Sequence, residues 1–335
     1  MANEARIINE LGDITLVGYE PIFDLERLFA ISQNNIFAAF FDDAVQAATD
    51  QYQLKNVFAS SGGDADLFFR PESQADSTAP NLFGLLERVR VDAGSDADVQ
   101  FDNIGGDAFT PNLQRVFVNA RYDADVRFNN DELAEYEPIE DLPVVKPALV
   151  EGLVEEIDEQ EGSDVVTGAR FMQNLRTIEV RSEMGDASVV ISNSGGDNFM
   201  ENVRTLQIGA AVDADLSINA SGDKPNAGFM EQLRSIEVIA ETGDTSVDIS
   251  HDGQDGFMTN LQAIYVEGGN GESADASLSI SASANDDLVE AVVADYTVEL
   301  EDFGGPGANF MPALESITLI GNSGEASLSI SHSGG

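Results

Sequence analysis

The residues in this chain best placed to do chemistry are four pairs of aspartates: Asp64/Asp66, Asp96/Asp98, Asp123/Asp125 and Asp213/Asp215. Each pair is spaced by two, so both carboxylates leave the same side of an extended segment. If successive pairs stack at strand spacing, their charges sit ~5 Å apart and repel. Calcium would relieve that repulsion, because it takes six to eight oxygen ligands and accepts carboxylates. The competing reading is that the first Asp of each pair caps turn N–H groups while water screens the rest, and we weigh it above calcium. The stretch Gly62-Gly63-Asp64-Ala65 lacks the second glycine step of the calcium nonapeptide Gly-Gly-x-Gly-x-Asp.

Other candidates are weaker. His251 and His332 fall at the same turn position of two copies of a repeat, with Ala282 there in the copy between. No Cys accompanies them, so they read as exposed turn residues and not as metal ligands. Arg176, Arg204 and Arg234 align with Glu179, Gln207 and Glu237 three residues on, which reads as a surface charge ladder. Asn112, Asn174, Asn202 and Asn260 read as an internal amide ladder that satisfies turn carbonyls. No Ser-His-Asp spacing, phosphate-cradling Gly loop or zinc motif is visible.

These residues are positioned by an internal repeat. Leading aliphatics stand at 54, 86, 113, 175, 203, 233, 261 and 314, and five of the seven intervals lie between 27 and 32 residues. Within a copy, Ile178 and Val180 alternate with Glu179, Met184-Gly185-Asp186 turns the chain, and Ala187, Val189 and Ile191 alternate again. Each copy thus offers two short strands, two polar turns and an aromatic corner. The corner is a Phe four residues before the leading aliphatic (Phe109, Phe171, Phe199, Phe229, Phe257, Phe310), with Leu82 in that place ahead of Leu86. One strand pair cannot bury such a face alone, but stacked copies can. The expected fold is all-β: a parallel β-solenoid of about eight to nine coils of ~28 residues, favoured over a leucine-rich-repeat horseshoe because the second strand is so regular.

Residues 1–53 read as an irregular or helical cap and assembly region, with a short helix over 42–51, and residues 54–335 as the solenoid. Within the first part, Leu25-Glu-Arg-Leu28 echoes Leu86-Glu-Arg-Val89, and Gly12–Leu16 resembles the second half of a repeat. Two insertions interrupt the solenoid, at about 129–169 and 282–308; the second is expected to hold a helix followed by a strand. The last copy ends Ser327–Gly335, which predicts an open solenoid end covered by another subunit's residues 1–53.

The chain carries 61 acidic and 16 basic residues, a net charge of −45. That excludes ordinary nucleic-acid binding and argues against anionic membranes. The longest apolar run, Ile36–Phe41, is too short to span a bilayer, and the N-terminus lacks the pattern of a signal peptide.

The pairing of Leu175-Arg-Thr-Ile-Glu-Val180 with Gly185-Asp-Ala-Ser-Val-Val-Ile191, repeated over roughly 54–331, resembles acidic β-solenoid surface-layer and adhesin-like proteins of bacteria. The resemblance implies calcium dependence and export without an N-terminal signal. The leading expectation is a non-enzymatic structural protein outside the cell, forming a layer, filament or matrix through end-to-end homo-oligomeric contacts. Alternatives are a carbohydrate-binding or carbohydrate-cleaving β-helix, with a cell-surface glycan as partner, and a cytoplasmic scaffold of a salt-adapted organism.

Overall fold

The computed structural model describes residues 4–9, 12–17, 26–41, 53–70, 83–104, 109–131, 171–194, 199–221, 229–251, 257–271, 274–282, 286–293, 296–299, 311 and 313–333. They form two eleven-stranded sheets, each with ten parallel strands and one antiparallel strand at an end. The chain alternates between the sheets, so each coil adds one strand to each. The first sheet runs from Glu4–Asn9 through Arg27–Ser32, Asn56–Ser61 and Arg88–Ala93 to Ser316–Gly321. The second runs from Ile14–Val17 through Ile36–Phe41 and Ala65–Arg70 to Ala326–Ser333. This is the expected parallel β-solenoid, and the described residues contain no helix.

Period-two alternation decides which side chains enter the core. In Thr177–Ser182 and Ala187–Asn193 every second residue is buried, and the pattern recurs in register along both sheets. Ile178 pairs with Leu206 and Leu206 with Ile236, while Val189 pairs with Leu216 and Leu216 with Val247. Each coil therefore buries its apolar face against copies of itself, which an isolated strand pair could not do. The corner phenylalanines stack as expected: Phe171–Phe199, Phe199–Phe229 and Phe229–Phe257 have centroids 4.7, 5.0 and 4.9 Å apart, which is the strand spacing itself. Ahead of Leu86 the corner is filled by Phe83, one residue later than the expected Leu82, and Phe83 meets Phe109 edge-on at 5.8 Å. Phe310 and Leu82 lie outside the described residues.

The corner also carries strain. Met172, Met200, Met230, Met258 and Met311 follow or stand at the corner with φ between 45° and 48° or close to it (Met230, 43°), a left-handed backbone that side chains rarely adopt. The turn explains why it persists. Met200 donates its N–H to Phe171 O at 2.8 Å and accepts from Val203 N at 3.1 Å, and its side chain is fully buried.

Two expectations are corrected. The described residues between 4 and 41 do not form an irregular cap: Glu4–Asn9 pairs with Arg27–Ser32, and Ile14–Val17 with Ile36–Ala39 of the strand Ile36–Phe41, all in parallel register. The echoes read at Leu25 and Gly12 are real coils, which brings the total to ten; the helix expected over 42–51 lies outside the described residues. Nor is the last coil open. The segment 286–293, expected to be helical, is a strand antiparallel to Ala326–Ser333, and Tyr296–Glu299 is antiparallel to Ser316–Gly321. The second insertion thus passes beyond the final coil and closes it in both sheets. The first insertion, outside the described residues from 132 to 170, leaves the ladder unbroken, since Ala124 pairs directly with Ala187.

Candidate functional site

The turn between the two strands of each coil places one capping residue immediately before the second strand, acidic in every coil but the second, where it is Asn35. Its side chain acts on the next coil. Oδ1 of Asp64 faces the N–H of Asp96 at 3.5 Å, Asp96 Oδ1 accepts from Asp123 N at 3.2 Å, and Asp123 Oδ1 from Asp186 N at 3.1 Å. The run continues through Asp213, Asp244 and Asp275 to the N–H of Glu325, with the last three contacts at 2.8 Å. Toward the N-terminus, Asp64 donates to Asn35 Oδ1 at 2.9 Å and Asn35 donates to Asp13 Oδ1 at 3.2 Å. One capping residue per coil therefore forms a continuous, directional ladder of ten members. Glycine precedes several of these residues for a steric reason: a Cβ at Gly185 would overlap Asp123 Oδ1, and one at Gly243 would overlap Asp213 Oδ1.

The first Asp of each predicted pair is thus a turn cap. The second forms a separate column. Asp66, Asp98 and Asp125 are neighbours in three successive coils, then Ser188 intervenes before Asp215. Ser188 donates its hydroxyl to Asp125 Oδ1. Burial pushes the Asp66 carboxyl up to about 6, and the charges of Asp98, Asp64 and Asp96 push it the same way. Burial also raises Asp98, opposed by Arg127 and reinforced by Asp125. Asp215 is raised first by burial and then by Asp213 and Asp186. Asp98 Oδ2 accepts from Gln100 at 3.2 Å, whereas Oδ1 is buried without a hydrogen-bond partner. Among the described residues no three acidic or histidine side chains converge as a metal site requires.

The remaining candidates sort cleanly. Asn112, Asn174, Asn202 and Asn260 each donate to a corner carbonyl of the preceding coil (Asn174 to Pro111 O at 2.8 Å), so they satisfy turn carbonyls as expected. A true side-chain amide ladder lies elsewhere. Asn103 donates to Asn130 Oδ1 at 2.7 Å and Asn130 to Asn193 Oδ1 at 2.6 Å, all three buried at the end of the second strand. The signal was present: each continues the inward alternation after Phe101, Phe128 or Ile191. His251 occupies that same column and is corrected accordingly. It is not an exposed turn residue but 4% exposed, stacked on Phe257 at 4.4 Å. The side chain of His332 lies outside the described residues, although its backbone pairs with Ala282 as the shared register requires.

Of the outer face of the first sheet, the sequence pointed only to the charge ladder of Glu179, Gln207 and Glu237 with Arg176, Arg204 and Arg234. Its central outward column reads Arg6, Phe29, Phe58, Arg90, Phe117 over the first five coils. The Arg90 guanidinium lies 4.9 Å from the Phe117 centroid and 5.8 Å from that of Phe58, and it pairs with Asp92 at 2.8 Å. Further along, the column continues Glu179, Gln207, Glu237, Tyr265. Gln207 donates to Glu237 at 2.7 Å and Arg181 pairs with Glu179 at 2.8 Å. Arg176, Arg204 and Arg234 are exposed beside this column, consistent with a surface charge ladder. A cleft of about 480 Å³ opens over Gly209, lined by Arg181, Glu183, Glu237 and Glu241.

No family model matches this chain, and neither the curated proteins nor the solved structures include a match to it. No helix among the described residues is long and apolar enough to cross a membrane.

Proposed function

We propose that this chain is a non-enzymatic structural protein outside the cell whose copies stack end to end into a filament, layer or matrix. The observation that supports the reading is the direction of the acidic ladder. From Asp13 to Asp275 each member's side chain accepts an N–H from the following coil, the last from Glu325. At one end the N–H of Asp13 has no donor role within the ladder, and at the other the Glu325 carboxylate caps no further coil. The closing strands lie between the last coil and any following copy, so the proposed head-to-tail contact runs from their outer edge to the first coil, a heterologous contact that propagates when rotation does not close it. Among the described residues, Glu4–Asn9 and Ile14–Val17 have a paired strand on one side only, and Ile8 is 57% exposed. Such an edge is a template for further pairing. The closing strands 286–293 and 296–299 move the other contact surface outward but leave an outer edge there too.

The test is sedimentation and electron microscopy of the full chain across concentration, at salt high enough to screen a net charge of −45. Elongating species are expected. The double variant Ile8→Glu, Thr15→Glu changes only exposed side chains at the N-terminal end and is expected to stop elongation with the β-rich circular dichroism intact. A wild-type chain that never grows beyond a dimer would overturn the proposal.

A further inference from the structure

We infer that the cleft over Gly209, on the outer face of the first sheet, binds a linear polyamine: an apolar chain with an ammonium group at each end. The inference does not depend on whether copies of the chain assemble.

The cleft is made by a glycine that the fold itself does not require. Gly209 faces outward in Thr205–Ala210, paired with Arg181 on one side and Ile239 on the other. Glycine weakens a strand interior, and it persists where a left-handed backbone or a close neighbour demands it. Neither holds here. A Cβ on Gly94, Gly185, Gly243 or Gly269 would collide with an adjacent coil, whereas one on Gly209 would meet nothing within 4 Å. Its backbone is extended strand that any residue adopts. Beyond it on the same coil comes another small residue, Ala211, and Glu241 of the next coil donates its N–H to the neighbouring Ala210 O at 2.9 Å. This coil is therefore cut low between Arg181 and Glu183 on one side and Ile239 and Glu241 on the other. The resulting cleft of about 480 Å³ is the size of a small-molecule site. A strand glycine with no internal reason marks a place where a ligand approaches the backbone.

The lining selects the charge of that ligand. Glu183, Glu237 and Glu241 share the cleft with one cation, Arg181, whose guanidinium is already paired with Glu179 at 2.8 Å. Arg121 is turned elsewhere, over Tyr122 and against Met184 Sδ at 3.4 Å. Arg176, Arg204 and Arg234 stand at the far ends of these strands, ~16 Å from the Gly209 register. An anion is thus repelled. A metal ion is disfavoured as well, because these carboxylates are spread and not convergent. Glu183 and Glu241 flank Ala211 at the turn end. Glu237 lies at the other end, where it accepts from Gln207 at 2.7 Å. Glu237 and Glu241 are four residues apart on one extended segment, ~13 Å, with half-buried Ile239 between them. Acid, apolar and acid in that order complement ammonium, methylenes and ammonium. The Gln207–Glu237 bridge closes the cleft toward the strand starts, which fits a free molecule and not a polymer running through.

The experiment is calorimetric titration of the full chain at matched ionic strength with spermidine, diaminooctane, diaminopropane and octylamine. Spermidine and diaminooctane are expected to saturate one site per chain. Diaminopropane is too short to reach both ends and octylamine has a single charge, so each should bind about tenfold or more weakly. Gly209→Ile fills the cleft at unchanged charge and is expected to abolish the saturable site. The same variant should unfold at a higher denaturant concentration, since a β-branched residue replaces glycine in a strand, which separates lost binding from lost folding. Glu183→Gln with Glu241→Gln alters two exposed side chains and should weaken binding about tenfold. Asp215→Asn with Asp248→Asn removes the same charge from the outer face of the second sheet and should leave binding unchanged. Diffuse uptake that Gly209→Ile does not alter overturns the inference. So does octylamine binding as well as diaminooctane. Equal losses in the two charge-deleted pairs overturn it too, because they leave only the general attraction of a chain of charge −45.

Discussion

Replacing Asp213 tests whether the acidic ladder is a stabilising element or a row of tolerated repulsions. Asp213 Oδ1 accepts the Asp244 N–H at 2.8 Å, while its own N–H donates to Asp186 Oδ1 at 3.1 Å. A capping side chain of this kind contributes ~1–2 kcal/mol, and hydrogen bonds to a charged acceptor lie at the strong end. Against this stands repulsion from Asp186 and Asp244, ~0.8 kcal/mol each at ~5 Å in water and less at physiological salt. Asp213→Ala loses the bond and the repulsion together, and screening about halves the latter, so a net loss of up to ~1 kcal/mol is expected at ~0.15 M salt. Asp213→Asn keeps an acceptor, as Asn35 does naturally in the second coil, and should lie within ~0.5 kcal/mol of wild type. Salt separates the terms: screening removes the repulsion and not the bond, so the cost of alanine should grow as salt is added. Denaturant unfolding gives the totals. Because repeats couple mainly to their neighbours, amide exchange at Asp244 gives the local effect, about fivefold faster per kcal/mol lost. An asparagine variant as unstable as the alanine variant, or unchanged Asp244 exchange in the latter, would refute the reasoning.

Phe229 is fully buried with rings 5.0 and 4.9 Å on either side; Phe229→Ala should cost ~3–5 kcal/mol in denaturant unfolding, and a loss below ~1 kcal/mol would mean that the ladder does not pack as described. Asp66 has a native pKa of about 6 against an ordinary 3.8, so the folded state binds its proton first. Stability should therefore rise as pH falls from about 7 through 6 toward 4 and gain nothing further from this group below that. Asp66→Ser should flatten the rise, and an unchanged pH profile would remove Asp66 as its source. Added salt should raise the melting midpoint, given the charge of −45, and a further rise in millimolar calcium at matched ionic strength would be the mark of ion binding along the Asp66, Asp98 and Asp125 column. Equal midpoints in calcium and chelator would leave that column as solvated surface.

The solenoid was legible because its two physical signatures are local: alternation within a strand, and identity down a column at one repeat spacing. The corner phenylalanines and the capping role of Asp64, Asp96, Asp123 and Asp213 could be read that way. Other features failed for identifiable reasons. Residues 286–293 (Asp-Asp-Leu-Val-Glu-Ala-Val-Val) have apolar positions compatible with either a helix or a strand, and the exposed edge of Ala326–Ser333 decides the matter. His251 was readable, since it continues Thr245, Val247 and Ile249 at period two, but its polarity suggested a turn. Phe83 against Leu82 is a one-residue slip in a corner whose spacing is less strict than the strands'. The outward column from Arg6 to Tyr265 is assembled only across strand registers, which no short window contains.

The closing segment has a consequence for how the chain is made. Strands 286–293 and 296–299 precede in sequence the coil that they cover, so the final coil fits between Ala276–Ala282 and a segment already synthesised. During N-to-C growth the segment reaches the solenoid before its permanent partner exists. The final coil therefore takes its place between two segments that precede it in the chain.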